Sequence, residues 1–493
     1  MNRREFLLAT LASGLVPGLG CGTGTDAGIE LPSSESAGID LTGLIRLARF
    51  AQISDTHVVD TESPARFAQA QFITRGAWRP WEAYATQIVD GMIRTVNRIH
   101  ASGRPVDFLL HTGDGCDNTQ SNELGWLLGI LDGASINPLS GPDDRPESAR
   151  PAPTMDPYAP FPAAGLYRTG VHGELPSIPW YALSGNHDSF ALGTLPFFDQ
   201  LFGGRIAPLP LPRRPGLLLP VVLDPTASTA YGNVTPNDPG PPCILEIPHY
   251  IQPNPNRAFF NKPDFVKAMF NTVTGPAGHG MSDPNGPTWY SVSPAPGLRL
   301  IGLDTADPAL KLPTFIYSEG AISAAQADFL RTELAAARDR NEVVIVATHH
   351  PSDSLQPTLG SALTPEAFRS LLNEHANVVL HVCGHTHRNR VTDRGGYLEI
   401  ETCSTIDLPQ EGRLIEVYRN DQTGETAVTY EMFSHIDDVL PPLGDDPLRD
   451  LRAAAMAIAA ADPGASIRQK LYDESGSDPK GRQVDRAAVK RMR

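Results

Sequence analysis

Five short motifs hold the residues that could do chemistry: Asp55-Thr56-His57, Gly113-Asp114, Gly185-Asn186-His187-Asp188, His349-His350 and Gly384-His385-Thr386-His387. Four of them directly follow a strand-like apolar run, the position at which open α/β sheets build their sites. Glycine lets the backbone turn sharply there, and Asp, Asn and His supply oxygen and nitrogen ligands to ions of intermediate hardness. The chemistry this pattern points to is metal binding. Asp-x-His and Gly-Asp are common at ordinary turns, and Gly-His-x-His is only moderately specific. Gly-Asn-His-Asp is the strong signal, and all five motifs in this order leave little room for chance.

The elements that must position these motifs can be read from the apolar pattern. Strand-like runs begin near Leu47 and recur at Val106 to Leu110, Trp180 to Leu183, Trp289 to Val292, Leu298 to Leu303, Val343 to Ala347, Val378 to Val382, Leu398 to Ile400, Leu414 to Tyr418 and Ala427 to Tyr430. Val89, Met92, Val96 and Ile99 form one helical stripe. Ser323 with Gln326, and Thr364 with Pro365, open two further helices, and an Ala-rich helix runs from Leu448 to Ala461. Alternating strands and helices define an α/β class.

The chain has 493 residues, 41% hydrophobic, which excludes a disordered or collagen-like polymer. A formal charge of −16 argues against binding nucleic-acid polymers. Of the 46 prolines, 10 fall in residues 135–180 and 19 in 201–300, so these stretches read as insertions that cap the scaffold as loops. Asn2-Arg3-Arg4-Glu5-Phe6-Leu7-Leu8 and the short apolar run behind it resemble a twin-arginine export signal, too short and interrupted to span a membrane. Gly18-Leu19-Gly20-Cys21 resembles a lipoprotein cleavage site, which makes Cys21 a candidate lipid anchor and the periplasm or cell envelope the expected location. The four later cysteines, Cys116, Cys243, Cys383 and Cys403, allow one bridge but do not require it. The expected division is an export signal at 1–21, a flexible linker at 22–46, a main domain at 47–435 with insertions at about 119–178 and 200–286, and a helical, basic tail at 436–493 that ends solvated and frayed.

With the motifs in this order, the sequence resembles the calcineurin-like metallophosphoesterase superfamily, nearest its bacterial phosphodiesterase-like branch. The resemblance implies a four-layer αββα sandwich of two mixed β-sheets flanked by helices. It implies two divalent ions, with manganese, iron and zinc as candidates: one held by Asp55, His57, Asp114 and His387, the other by Asp114, Asn186, His349 and His385, so that Asp114 bridges them. It also implies hydrolysis of a small phosphate ester by a metal-bridging hydroxide, with His187 as catalytic histidine and Asp188 orienting it and raising its pKa. Such a site is locally positive and attracts phosphate despite the net charge. Position 117 is aspartate where purple acid phosphatases carry a tyrosine, which disfavours a ferric enzyme.

No arginine or lysine in the motifs is dedicated to the second charge of a monoester, so a diester is favoured, with a phosphomonoesterase or nucleotidase as the alternative. A non-catalytic binding scaffold of the same fold is the competing class, disfavoured because every ligand position is intact. His350 has either a substrate-facing or a structural role. His111 reads as a satisfied core histidine and Cys116 and Cys383 as small buried residues; Arg213, Arg214, Arg257 and Lys262 are within reach of a phosphate from the second insertion, with a solvated loop as their default reading.

Overall fold

The computed structural model describes residues 41–63, 79–143, 145–190, 193–194, 254–306, 318–357, 360–437, 439–461 and 480–492. The export signal, Cys21, the linker as far as residue 40, Arg213, Arg214 and Cys243 lie outside the described residues.

Among the described residues fourteen strands follow in chain order: β1 Ile45–Ile53, β2 Phe108–His111, β3 Ser135–Ile136, β4 Phe161–Pro162, β5 Trp180–Ala182, β6 Tyr290–Ala295, β7 Leu298–Gly302, β8 Val343–Ala347, β9 Val378–Cys383, β10 Arg390–Asp393, β11 Leu398–Glu401, β12 Glu411–Arg419, β13 Thr426–Ser434 and β14 Ala488–Met492. The helices are α1 Ala85–Ala101, α2 Ser121–Asp132, α3 Lys262–Met269, α4 Ala324–Asp339, α5 Pro365–Asn373, α6 Arg449–Ala461 and α7 Gln483–Arg486.

The strands form two six-stranded sheets, ordered β14-β13-β12-β1-β2-β5 and β10-β11-β9-β8-β7-β6, with β3 and β4 as a separate pair. Each sheet is mixed. β1, β2 and β5 run parallel in the first, and β7, β8, β9 and β11 in the second, while the remaining neighbours are antiparallel. Side-chain alternation produces the layers. On β8, Val343, Ile345 and Ala347 join Phe50, Phe108 and Leu414 of the first sheet in one core, whereas Val344 and Val346 face Leu330 and Leu334 of α4 and Phe368 of α5. The outer face of the first sheet is covered by α1, whose Val89, Met92 and Val96 belong to the same core as the sheet. This is the expected four-layer αββα sandwich.

Three readings from sequence need correction. The scaffold starts at Ile45, inside the expected linker. The proline-rich insertions contain regular structure: α2 begins at a capping box in which Gln120 and Glu123 satisfy each other's backbone groups, and Asn261 with Asp264 does the same for α3. The end of the tail is not frayed. β14 pairs with β13, Arg486 is bonded to Glu411, and the buried Arg413 donates to the Asp485 carbonyl at 2.6 Å. Arg486, Lys490 and Arg491 pair with Glu411, Asp393 and Glu425, and Arg482 with Asp485, which is why a basic segment packs here. Among the described residues no helix is long and apolar enough to cross a membrane.

Candidate metal centre

All seven predicted ligands stand on loops that leave the parallel strands at their C-terminal ends: Asp55 and His57 after β1, Asp114 after β2, Asn186 after β5, His349 after β8, and His385 and His387 after β9. Both sheets therefore deliver ligands to one place, the crevice this class of sheet provides. Asp55, His57, Asp114, His385 and His387 all have φ between 40° and 70°, the left-handed region that residues with a Cβ rarely occupy. Such strain concentrates where side chains must converge. Gly185 makes that convergence sterically feasible, because a Cβ there would overlap the Asp114 carboxylate and backbone.

The cluster has two halves. In one, His57 Nε2 lies 3.1 Å from His387 Nε2, and His387 Nε2 lies 3.4 Å from Asp55 Oδ1. In the other, Asn186 Oδ1 is 3.0 Å from His349 Nε2 and 3.2 Å from His385 Nδ1. Asp114 stands between them, its Oδ2 3.2 Å from His349 Nε2 and 3.8 Å from His57 Nε2. The His187 backbone N–H fixes its other oxygen at 2.8 Å. The Asn186 amide nitrogen donates to the Gly193 carbonyl at 3.0 Å, which leaves its oxygen aimed at the histidines. Asp55, His57, Asp114 and His349 are almost wholly buried.

The ring tautomers bear directly on metal binding. His57 Nδ1 donates to Asp117 at 2.9 Å and His387 Nδ1 to Asp407 at 2.7 Å, so in their neutral forms the two facing Nε2 atoms carry lone pairs. Two lone pairs at 3.1 Å require positive charge between or beside them. In the metal-free protein, protons supply it. Burial pushes His387 down, but Asp407 and Asp55 outweigh it and raise it to about 9. Burial likewise opposes the charge of His349, yet Asp114 and Asp55 raise it to about 9. Burial and His187 lower His57 to about 4, and burial and His349 lower His385 to about 3. Each half thus pairs one proton-rich ring with one neutral ring. Divalent ions fit this donor set of carboxylate, amide oxygen and imidazole.

His187 borders the cluster with its side chain 19% exposed. Its Nδ1 donates to the Asp117 carbonyl at 2.6 Å, and its ring meets His57 edge-on at 4.5 Å between centroids. The expected His187–Asp188 pair is absent. Asp188 instead accepts from the backbone N–H groups of Gly115, Cys116 and Gly185 at 3.1, 2.9 and 3.0 Å. It ties together the loops that carry Asp114 and Asn186, a bracing role that follows from three otherwise unpaired donors.

The remaining candidates separate clearly. His111 is a buried core residue bonded to Thr56 and the Gly113 N–H. His350 lies near His349 and His385, but Thr305 Oγ1 and the Ser318 carbonyl occupy both its ring nitrogens, which makes it structural. Cys116, Cys383 and Cys403 are buried and free, with burial pushing their thiols well up. Arg257 and Lys262 are not solvated: Arg257 is fully buried 3.1 Å from Asp60, and Lys262 sits 2.8 Å from Asp304. Sequence reasoning missed Asp407, Arg79 and Gly193. Asp407 follows strand β11 as the ligands follow theirs, and that position was the available signal.

Residues 48–237 match the calcineurin-like phosphoesterase family, which makes the chain similar to that family over the part that carries Asp55, His57, Asp114 and Asn186. No curated protein sequence matches it significantly. Among solved structures it is similar to a dimetal phosphatase from Danio rerio, at 14% identity and a TM-score of 0.41, over 81% of this chain and 100% of that one. It is also similar to the sulfate thiohydrolase SoxB of Thermus thermophilus (12% identity, TM-score 0.34, 84% of this chain and 61% of that one). A putative 5'-nucleotidase from Staphylococcus aureus aligns at 15% identity and a TM-score of 0.30, over 83% of this chain and 58% of that one. The chain therefore spans about three-fifths of the last two.

Proposed function

We propose that the protein hydrolyses small phosphate esters, diesters in preference to monoesters, at a centre of two divalent ions. One ion is assigned to Asp55, His57, Asp114 and His387, the other to Asp114, Asn186, His349 and His385. The facing Nε2 atoms of His57 and His387, each with its Nδ1 committed to a carboxylate, are the observation that carries the proposal. When bound, the ions activate a water and offset the negative charge of the phosphoryl group. The chain's own residues do the rest. With Nδ1–H held by the Asp117 carbonyl, His187 offers only Nε2 to substrate, and in its cationic form that atom donates to a phosphate oxygen or to the departing oxygen. His187 and His385 are the partly open members of an otherwise buried cluster, so substrate approaches from their side.

The diester preference rests on charge. A monoester brings a second negative charge, and the two described cations the sequence offered for it, Arg257 and Lys262, are committed to Asp60 and Asp304. The test is hydrolysis of bis(4-nitrophenyl) phosphate and 4-nitrophenyl phosphate by chelator-treated protein resupplied with manganese, zinc or iron. Metal-restored turnover, faster on the diester and reduced by about 10²-fold or more in Asn186→Ala and His187→Ala, is the expected result. Faster turnover of the monoester would reverse the preference. No turnover in protein that holds two ions would overturn the phosphate-ester reading.

A further inference from the structure

The two halves of the centre have different backing. Both rings of one half donate Nδ1–H to carboxylates, His57 to Asp117 and His387 to Asp407. In the other half His349 donates its Nδ1–H to the neutral Thr112 carbonyl at 2.9 Å, while His385 turns its Nδ1 inward to the Asn186 amide oxygen and so has no carboxylate behind that atom. The two carboxylates of the first half converge on one guanidinium. Arg79 grips Asp407 with Nε on Oδ1 at 2.8 Å and Nη2 on Oδ2 at 3.0 Å, while its Nη1 reaches Asp117 Oδ1 at 3.5 Å. Asp117 Oδ1 is the same oxygen that accepts from His57. Arg79 is 5% exposed, and its backbone N–H is anchored on Glu82 at 3.1 Å.

We propose that Arg79 is a positioning residue for metal binding: through Asp117 and Asp407 it fixes both histidines of the Asp55-His57-His387 half-site and makes that half-site the tighter of the two. An imidazole that donates to a carboxylate is a better and more rigidly aimed donor than one that donates to a carbonyl. Two carboxylates behind two rings would, alone, leave uncompensated negative charge in a buried place. The planar guanidinium supplies the compensation, and its fork holds one carboxylate through both oxygens while a third N–H reaches the other. A lysine ammonium has no such fork, so Arg79→Lys keeps the charge and loses the geometry. Asp407→Asn does the reverse, keeping an acceptor for the ring and removing the charge.

The inference rests on the two-ion reading above, and its test reads binding rather than turnover. Full-length chain, stripped by chelation, is titrated calorimetrically with manganese alone. The expected result is two separable steps in the unaltered protein, with the tighter step weakened about 10- to 100-fold in Arg79→Ala, Arg79→Lys and Asp407→Asn, and the weaker step changed less than about threefold. Equal steps in the unaltered protein, no change in Arg79→Ala, or equal weakening of both steps would overturn it. Urea unfolding of each metal-free variant checks the fold. If Arg79→Ala does not fold, the Lys and Asn variants decide by the same criterion. Fewer than two ions in the unaltered protein would defeat the two-ion reading and this inference together, whereas two ions indifferent to Arg79 would defeat this inference alone.

Discussion

His187 has little room to move. Gly193 adopts φ of 66°, and a Cβ there would fall on the His187 ring. Gly193→Ala is therefore expected to displace the ring and lower kcat about 10²-fold, with bound metal per chain unchanged because the Gly193 carbonyl still accepts from Asn186. Steady-state kinetics together with metal analysis checks this. Asp188 yields the opposite signature. Asp188→Asn leaves part of a three-donor backbone cradle unmatched, so the urea midpoint should fall by the equivalent of about 1–3 kcal/mol while the acid limb of the pH–rate profile stays in place. A shifted acid limb at unchanged stability would restore Asp188 as the partner of His187.

At the scale of elements, the strands and the loops behind them were legible because short apolar runs and a following Gly, Asp or His are local signals. Val343 to Ala347 was bounded correctly for that reason. The residues gathered at the candidate centre were legible too, since each stands in a short motif. Their supports were not. Asp407 and Arg79 lie 328 positions apart; the place of Asp407 after β11 is the one hint it carries, and Arg79 has none. Asp188 sits beside His187 in the chain, yet the turn directs it to backbone donors on another loop. Helix α2 was missed because glutamine is an unusual capping residue.

Element packing also sets a pH response. His435, just past β13, is wholly buried, bonds Gln410 at 2.9 Å, and is lowered to about 3 by burial and by Arg452. Because its folded pKa lies below the unfolded value near 6.5, its contribution is fully present above pH 6.5 and declines as pH falls toward 3. By pH 5 the loss is on the order of 2 kcal/mol. Urea unfolding at pH 7.5 and 5.0 should show His435→Gln losing less stability between the two than the unaltered protein. An identical loss in both would place the acid sensitivity elsewhere.

The whole molecule is closed by its own C-terminal segment. Residues 480–492 add an edge strand, and the Asp485 carbonyl accepts from Nη1 of the buried Arg413, whose other N–H groups go to Thr402, Asn389 and the Glu401 carbonyl. Asp485 also accepts from the Val391 N–H at 3.0 Å on β10, downstream of the His385 and His387 loop. A chain ending at residue 479 should therefore unfold at lower urea, by the equivalent of roughly 2–3 kcal/mol, because a buried guanidinium loses an acceptor. An unchanged midpoint would mean that Arg413 finds another partner.

The central claim, two ions that share Asp114 between ligands drawn from both sheets, is tested most directly by anomalous diffraction from manganese-loaded crystals. The account predicts two peaks, one on each side of Asp114 and roughly 3.5–4 Å apart, the first against Asp55, His57 and His387 and the second against Asn186, His349 and His385. A single peak, or peaks away from these seven side chains, would contradict it.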